Sequence, residues 1–182
     1  MKKLFLVAFM AVFTSTAFAQ LITSSRVAVR GDHTSKIWFD LGAGAYTGDV
    51  SNTGLGVEMG FRWTQMFGES FGWDILKLSA QTDTKNFTEA LNLQLKTGAR
   101  YVSPVLFGNQ SLYANIAAGY GLFTDNTDAK GFAWEIGAGI NITPRISAGI
   151  VYNSQNYSLD VYHGESQSFN VGYIGLRLGL GL

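Results

Sequence analysis

Two stretches between Leu112 and Ile142 alternate apolar and small residues with a period of two. The apolar rows are Leu112, Ala114, Ile116, Ala118, Tyr120 and Leu122, and then Phe132, Trp134, Ile136, Ala138, Ile140 and Ile142. Because successive strand side chains point to opposite faces, this period predicts two β-strands. The second face consists largely of glycine, alanine and isolated polar residues, and it has too few charged residues for a surface in water. A narrow closed barrel fits that division, with lipid outside and a crowded lumen inside.

The first 19 residues have the three parts of a secretory signal peptide. Lys2 and Lys3 form a basic start, an apolar run extends from Leu4 to Phe13, and Ala17-Phe18-Ala19 is an A-x-A cleavage site. The apolar run is half the ~20 residues that a membrane-spanning helix needs. We therefore predict that residues 1–19 are removed when the protein is exported.

Composition excludes several classes of function. The chain has 13 basic and 13 acidic residues, and removal of Lys2 and Lys3 leaves a net charge of −2. This balance provides no electrostatic basis for binding nucleic acid. The absence of cysteine excludes disulfides, thiolate metal sites and a cysteine nucleophile. No other residues have the spacing of metal ligands, and we expect no cofactor.

After the signal peptide, we predict a polar leader at residues 20–35 and a barrel domain at residues 36–182. Within the barrel domain the alternating pattern predicts eight strands: Lys36–Tyr46, Gly54–Met66, Phe71–Thr82, Glu89–Ser103, Gln110–Thr124, Gly131–Thr143, Ile146–Tyr157 and Ser168–Leu182. A strand of eleven residues tilted by ~45° climbs about 25 Å, the height of an outer-membrane apolar band. The fold class is therefore predicted to be an eight-stranded antiparallel up-and-down transmembrane β-barrel.

The connections between these strands alternate in length. Short turns are predicted at Phe67–Ser70, Pro104–Asn109 and Pro144-Arg145, and longer polar loops at Thr47–Thr53, Asp83–Thr88, Asp125–Lys130 and Ser158–Gln167. Barrels with periplasmic turns and extracellular loops show this alternation. We therefore expect the loop residues Asp49, Lys85, Asp128 and Asp160 to face the cell exterior.

Aromatic residues fall near the two ends of the predicted strands, and the strand middles are aliphatic. At the short-turn end they are Trp38, Phe39, Trp63, Phe67, Phe71, Trp73, Tyr101 and Phe107, and at the loop end Tyr46, Tyr120, Phe123, Phe132, Trp134, Tyr152, Tyr157, Phe169 and Tyr173. Two aromatic girdles mark the membrane–water interfaces of a transmembrane barrel. Between the girdles, Leu93, Ile116 and Ile136 are expected to face hydrocarbon.

On these features the chain resembles the small eight-stranded outer-membrane barrels of the OmpA transmembrane-domain and OmpX kind, and more particularly the short outer-membrane β-barrel proteins common in Bacteroidetes. The resemblance covers residues 36–182 and rests on pattern, not on an invariant motif. It implies an outer-membrane location, contact with lipid and lipopolysaccharide, and recognition by the outer-membrane insertion machinery. Such proteins often end in phenylalanine after alternating apolar residues, whereas this alternation ends in Leu182. We expect a monomer.

Charged residues at predicted inward positions form a candidate lumen network: Asp40, Glu58, Arg62, Lys77, Lys96, Arg100, Glu135 and Arg177, accompanied by Asn115, Asn141 and Asn153. Since an unpaired charge in a closed lumen is costly, we expect ion pairs. Heights counted from the strand ends predict that Asp40 lies between Arg62 and Arg177, and that Glu58 lies near Lys77 and Lys96. The small lumen of an eight-stranded barrel favours a plug over a charged channel.

Enzymes on this scaffold modify lipopolysaccharide acyl chains and need a nucleophile, a base and an orienting acid. The histidines are His33 and His163. His163 lies beside Glu165 and Ser166, too close in sequence for triad geometry. We therefore predict no catalytic residue, and a non-enzymatic barrel with a structural or surface-interaction role through its loops. A lipid-modifying acyl hydrolase or transferase, a small channel and a soluble lipocalin-like barrel that binds a ligand remain as alternatives.

Overall fold

The computed structural model describes residues 34–49, 55–83, 91–106, 110–124, 129–161 and 165–182. Within these residues there are eight strands: β1 (Ser35–Gly48), β2 (Leu55–Phe67), β3 (Phe71–Asp83), β4 (Leu91–Val102), β5 (Ser111–Thr124), β6 (Ala129–Thr143), β7 (Ile146–Val161) and β8 (Glu165–Gly181). Each strand pairs antiparallel with the next, and β8 pairs with β1, so the sheet closes into a barrel. The predicted fold class is confirmed. In the part of the chain that is described, no helix is long and apolar enough to cross a membrane.

The barrel is apolar outside and polar inside. Ile116 on β5 and Ile136 on β6 are 59% and 51% exposed on the outer face, while the adjacent Asn115 and Glu135 are buried in the lumen. The strand period explains this division, because neighbouring residues point to opposite faces. A Cβ atom on the inward Gly98 would clash with the main-chain oxygen of Ile116. Glycine is therefore required where neighbouring strands coil tightly around a narrow lumen.

The predicted bounds differ most from the structure at the β7–β8 hairpin. The sequence pattern predicts a polar loop over Ser158–Gln167, but antiparallel pairing continues from Ser158↔Ser168 to Val161↔Glu165. The loop prediction was wrong because it followed the apolar period. A β-ladder joins backbone groups, so it can continue where the side chains are polar.

At the other end of the chain, Ser35 was assigned to the leader but is the first residue of β1. Thr34 is also tied to the barrel, because its carbonyl accepts a hydrogen bond from the Met66 N–H at 2.8 Å. The predicted signal peptide and the leader up to residue 33 lie outside the described residues. The same is true of Lys85 and Asp128, which were predicted to lie in exterior loops.

Aromatic residues of the two predicted girdles divide between the outer face and the lumen. Those exposed on the outer face include Trp63, Phe67, Phe71, Trp73 and Tyr101 at the short-turn end, and Tyr120 and Phe132 at the loop end. Trp38, Tyr46, Tyr157 and Tyr173 are instead buried. Placing these four in the girdles was wrong, because the prediction considered their height along the strand without the face to which they point.

Candidate functional site

Glu135 on β6 is the centre of the lumen network, and its side chain is completely buried. Among the described side chains, three cations on three other strands bind its two carboxylate oxygens. They are Lys77 on β3, Lys96 on β4 with Nζ at 2.7 Å, and Arg177 on β8 with Nη1 at 2.7 Å. Asn115 Nδ2 on β5 donates a further hydrogen bond at 3.1 Å. One carboxylate thus links five strands through the interior of the barrel.

Arg177 joins this centre to a second carboxylate, that of Glu58 on β2. Its Nη2 lies 2.5 Å from Glu58 Oε1 and its Nε lies 3.3 Å from Oε2, a bidentate arrangement that charge-assisted hydrogen bonds favour. The residues paired with Arg177 on the neighbouring strands are Gly42 and Gly149. A Cβ on Gly42 would lie 3.1 Å from Glu58 Oε2. The absence of a side chain there leaves room for the ion pair.

Two arginine–carboxylate pairs lie on the short-turn side of Glu135. Arg62 Nη2 is 3.2 Å from Asp40 Oδ1, and its guanidinium lies 5.1 Å from the centre of the Trp38 ring. Arg100 Nε is 3.6 Å from Asp74 Oδ1, and its guanidinium lies 4.5 Å from the centre of the Tyr113 ring. Each cation therefore has a carboxylate partner and an aromatic face, which stabilise it away from bulk water.

On the loop side of Glu135, amides and tyrosines form most of the buried contacts. Asn92 Nδ2 donates to Gln155 Oε1 at 2.6 Å, and the Tyr157 hydroxyl donates to Asn92 Oδ1 at 2.5 Å. Tyr157 belongs to a buried cluster that also contains Tyr46, Ala129, Val151, Val171 and Tyr173. The Tyr46 and Tyr173 rings meet edge to face, with centres 5.7 Å apart. Side chains thus occupy the lumen above, at and below the level of Glu135.

All eight charged residues of the predicted network are buried, as are Asn115 and Asn153. Asn141 is partly buried, and its Nδ2 donates to Ser111 Oγ at 2.9 Å. The sequence pattern therefore identified the luminal face of these strands.

Three of the predicted contacts are not ion pairs in the structure. Arg177 lies opposite Gly42, two residues beyond Asp40 along β1, and binds Glu58 and Glu135 instead of Asp40. Glu58 was expected near Lys77 and Lys96, but both lysines bind Glu135. Counting from the strand ends failed because barrel strands are staggered relative to one another. Long side chains also cross the lumen to strands that are not neighbours in the sheet.

Asp74 is a buried member of the network that the sequence analysis missed. A strict period of two places Asp74 and Lys77 on opposite faces. The pairing register shifts between them, however, and this β-bulge turns both side chains into the lumen. Asp74 Oδ1 then accepts a hydrogen bond from Thr64 Oγ1 at 2.6 Å. The available signal was the adjacent apolar pair Ile75-Leu76 between two charged residues.

A hydroxyl on the outer face supports this bulge. Thr97 Oγ1 on β4 donates to the Asp74 main-chain oxygen at 2.9 Å and accepts a hydrogen bond from Trp73 Nε1 at 2.9 Å. The carbonyl at the bulge is thereby satisfied by a side chain on the outer face of the barrel. Thr97 thus acts as a positioning residue for the Asp74 carboxylate in the lumen.

The residues considered for catalysis were His33, His163, Glu165 and Ser166. His33 and His163 lie outside the described residues, and the structure describes the backbone but not the side chains of Glu165 and Ser166. Within the described ranges, no three His, Asp or Glu side chains are grouped so that they could hold a metal ion.

Comparisons with known proteins agree with this architecture. The sequence matches the model of the outer membrane protein beta-barrel domain over residues 5–175, and no curated protein matches it. The fold is similar to the crystal structure of Neisserial surface protein A (NspA), with a TM-score of 0.60 and 7% identity over 82% of this chain and 99% of that chain. It is also similar to the outer membrane enzyme PagL, with a TM-score of 0.55 and 12% identity over 79% of this chain and 98% of that chain. The chain belongs to the outer membrane protein beta-barrel family, as its resemblance to small eight-stranded barrels predicted.

Proposed function

We propose that the protein is a non-catalytic barrel of the outer membrane that acts through the surface formed by its loops, and that its lumen is a plug. One observation carries this proposal: Glu135 is completely buried and binds Lys77, Lys96 and Arg177 from three strands. Such a network fills the space through which a solute would pass. Eight strands enclose little more than the volume of their own inward side chains.

The energetic argument against a pore is that opening would break buried ion pairs. Removing one member of a buried pair typically costs ~3–5 kcal/mol, and each 1.4 kcal/mol is a tenfold change in an equilibrium. Displacing Arg177 would break its ion pairs with both Glu58 and Glu135 at once. An open lumen would therefore be a rare state, and a conduction function is disfavoured.

The proposal also covers how the protein is exported, how it is inserted and where it is located. Residues 1–19 are a cleaved signal peptide, the insertion machinery recognises the apolar alternation of β8, and the barrel is a monomer in lipid and lipopolysaccharide. Exposed Ile116, Ile136 and Leu176 supply the lipid-facing surface. The loops then face the cell exterior, where the β7–β8 hairpin adds polar strand beyond Ser158.

Acyl hydrolysis is the main competing function, because PagL is an outer membrane enzyme of similar fold. A likeness in fold alone transfers no catalytic residue. The absence of cysteine excludes a cysteine nucleophile. One His-x-Ser spacing is present, His33-Thr34-Ser35, in which Ser35 begins β1 and its hydroxyl accepts a hydrogen bond from Trp63 Nε1. The enzyme is therefore the alternative that must be tested. Mass spectrometry of lipopolysaccharide from cells with and without the protein separates the two functions. Identical acyl patterns are expected, and loss of an acyl chain only when the protein is present would establish an enzyme.

The plug is tested by adding pure, refolded protein to a planar lipid bilayer. We expect no steady conductance from the wild-type protein. A matched variant, Glu135→Ala, removes the central carboxylate and is expected to raise the frequency of brief current steps, because three cations lose a shared partner. Glu69→Ala, in an exposed turn, is the control and should behave as wild type. A steady, ion-selective current from the wild-type protein would make the channel the leading function.

A further inference from the structure

The described part of the turn between β4 and β5 is apolar, whereas the other two turns at the same end of the barrel each carry a charged residue. The β2–β3 turn carries Glu69 at its tip, and the β6–β7 turn carries Arg145. The described part of the β4–β5 turn instead presents Val105 and Leu106, which are 64% and 51% exposed. Two neighbouring apolar side chains projecting beyond the strand ends would be unfavourable in water.

This apolar tip is continuous with the lipid-facing surface of the barrel. Tyr101 at the end of β4 and Leu112 at the start of β5 are both exposed on the outer face beside the turn. The Tyr101 ring packs against Phe71 of β3, with ring centres 5.3 Å apart. Exposed aromatic residues at this height are typical of the membrane–water interface. The tip therefore extends an interface that already contacts lipid.

The backbone of the turn is bonded in a way that suits a less polar environment. Ser103 N donates to Leu112 O at 2.8 Å, and Leu112 N donates to Ser103 Oγ at 2.9 Å. Leu106 N donates to Gln110 O at 2.9 Å, and Pro104 has no N–H to satisfy. Entry into lipid is costly for unpaired peptide groups, and these contacts remove part of that cost.

We propose that Val105 and Leu106 are a membrane anchor that inserts into the phospholipid interface of the leaflet at the short-turn end. Phospholipid is the occupant because the tip continues the lipid-facing surface and carries no charge of its own. Glu69 and Arg145 keep the other two turns in water. The anchor thus acts on one side of the barrel and holds the β4–β5 edge deeper in the membrane than the β2–β3 and β6–β7 edges.

The absence of cysteine makes a direct test possible. Single variants Val105→Cys, Glu69→Cys and Arg145→Cys are labelled with a nitroxide and reconstituted in phosphatidylcholine vesicles. Collision rates with oxygen, which concentrates in lipid, and with a water-soluble nickel chelate are then measured by electron paramagnetic resonance. We expect the oxygen-to-nickel ratio at position 105 to exceed that at both control positions at least threefold. Equal ratios at the three positions would overturn the proposal and leave the apolar tip to a protein partner.

A second measurement tests anchoring instead of location. A nitroxide at Leu112→Cys is compared in the wild-type background and with Val105→Asp and Leu106→Asp together. If the tip holds this edge of the barrel in the membrane, the label shifts toward water, and its oxygen-to-nickel ratio falls about twofold or more. An unchanged ratio in a folded double variant would contradict an anchoring role. Folding is checked by the altered gel mobility of the unheated protein.

Discussion

Arg177 and Glu135 lie on β8 and β6, which do not pair with each other, yet Arg177 Nη1 lies 2.7 Å from Glu135 Oε1. Their ion pair therefore crosses the lumen, whereas the backbone hydrogen bonds join only strands that are neighbours in the sheet. Lys96 on β4 and Lys77 on β3 reach the same carboxylate from the opposite side of the barrel. Interactions of this kind join strands that the ladder leaves unconnected.

Loss of the central carboxylate should be the most damaging single change in the lumen. Glu135→Ala leaves Lys77, Lys96 and Arg177 buried without their shared partner, and such a change typically costs ~3–5 kcal/mol. Urea unfolding in lipid vesicles, followed by tryptophan fluorescence, measures the free energy of unfolding. Glu69→Ala in an exposed turn provides the control and should not change it. A Glu135→Ala barrel as stable as the wild type would mean that lumen water solvates the three cations.

The corrected ion pairs predict which mutations interact. Asp40→Ala and Arg62→Met remove two members of one contact, so their effects on unfolding should be non-additive by ~0.5–3 kcal/mol. Asp40→Ala and Arg177→Met affect different pairs and should add to within about 0.5 kcal/mol. A double-mutant cycle for each combination provides the measurement. Stronger coupling of Asp40 to Arg177 than to Arg62 would restore the pairing inferred from strand height.

Charge on the lipid-facing surface should be tolerated according to depth. Ile136→Arg places a cation near the bilayer midplane and should cost ~2–4 kcal/mol, whereas Tyr120→Arg, nearer the interface, should cost about 1 kcal/mol or less. The free energy of unfolding in vesicles distinguishes the two variants. Equal costs at both positions would show that Ile136 does not face hydrocarbon.

The bulge on β3 should depend on the Thr97 hydroxyl. Thr97→Val removes the hydrogen bonds to the Asp74 carbonyl and to Trp73 Nε1, each typically contributing ~0.5–1.5 kcal/mol. Thr97→Ser keeps the hydroxyl and is the matched control. Unfolding in vesicles should show a loss for the valine variant and little change for the serine variant. Equal losses would indicate that the γ-methyl group, not the hydroxyl, supports the bulge.

The period of two determined the eight strands and the luminal face that carries Glu58, Glu135 and Arg177, and the connection lengths and aromatic girdles added the transmembrane class. Alternation is a local property, since a strand residue points opposite to its neighbour whatever the rest of the chain does. The same property separated the exposed Ile116 and Ile136 from the buried Asn115. These features could be predicted without any knowledge of how the barrel closes.

Only the tertiary structure decided which luminal groups meet. The stagger between strands places Arg177 opposite Gly42 instead of Asp40, and the width of the lumen lets its guanidinium reach Glu135 on β6. A single extra residue, Ile75, reverses the local alternation and brings Asp74 inside. The stagger of the strands, the bulge in β3 and the contacts across the lumen depend on how all eight strands pack together. They cannot be predicted from the alternation of residues along one strand. The chain thus encodes which residues line the lumen, and barrel closure determines their partners.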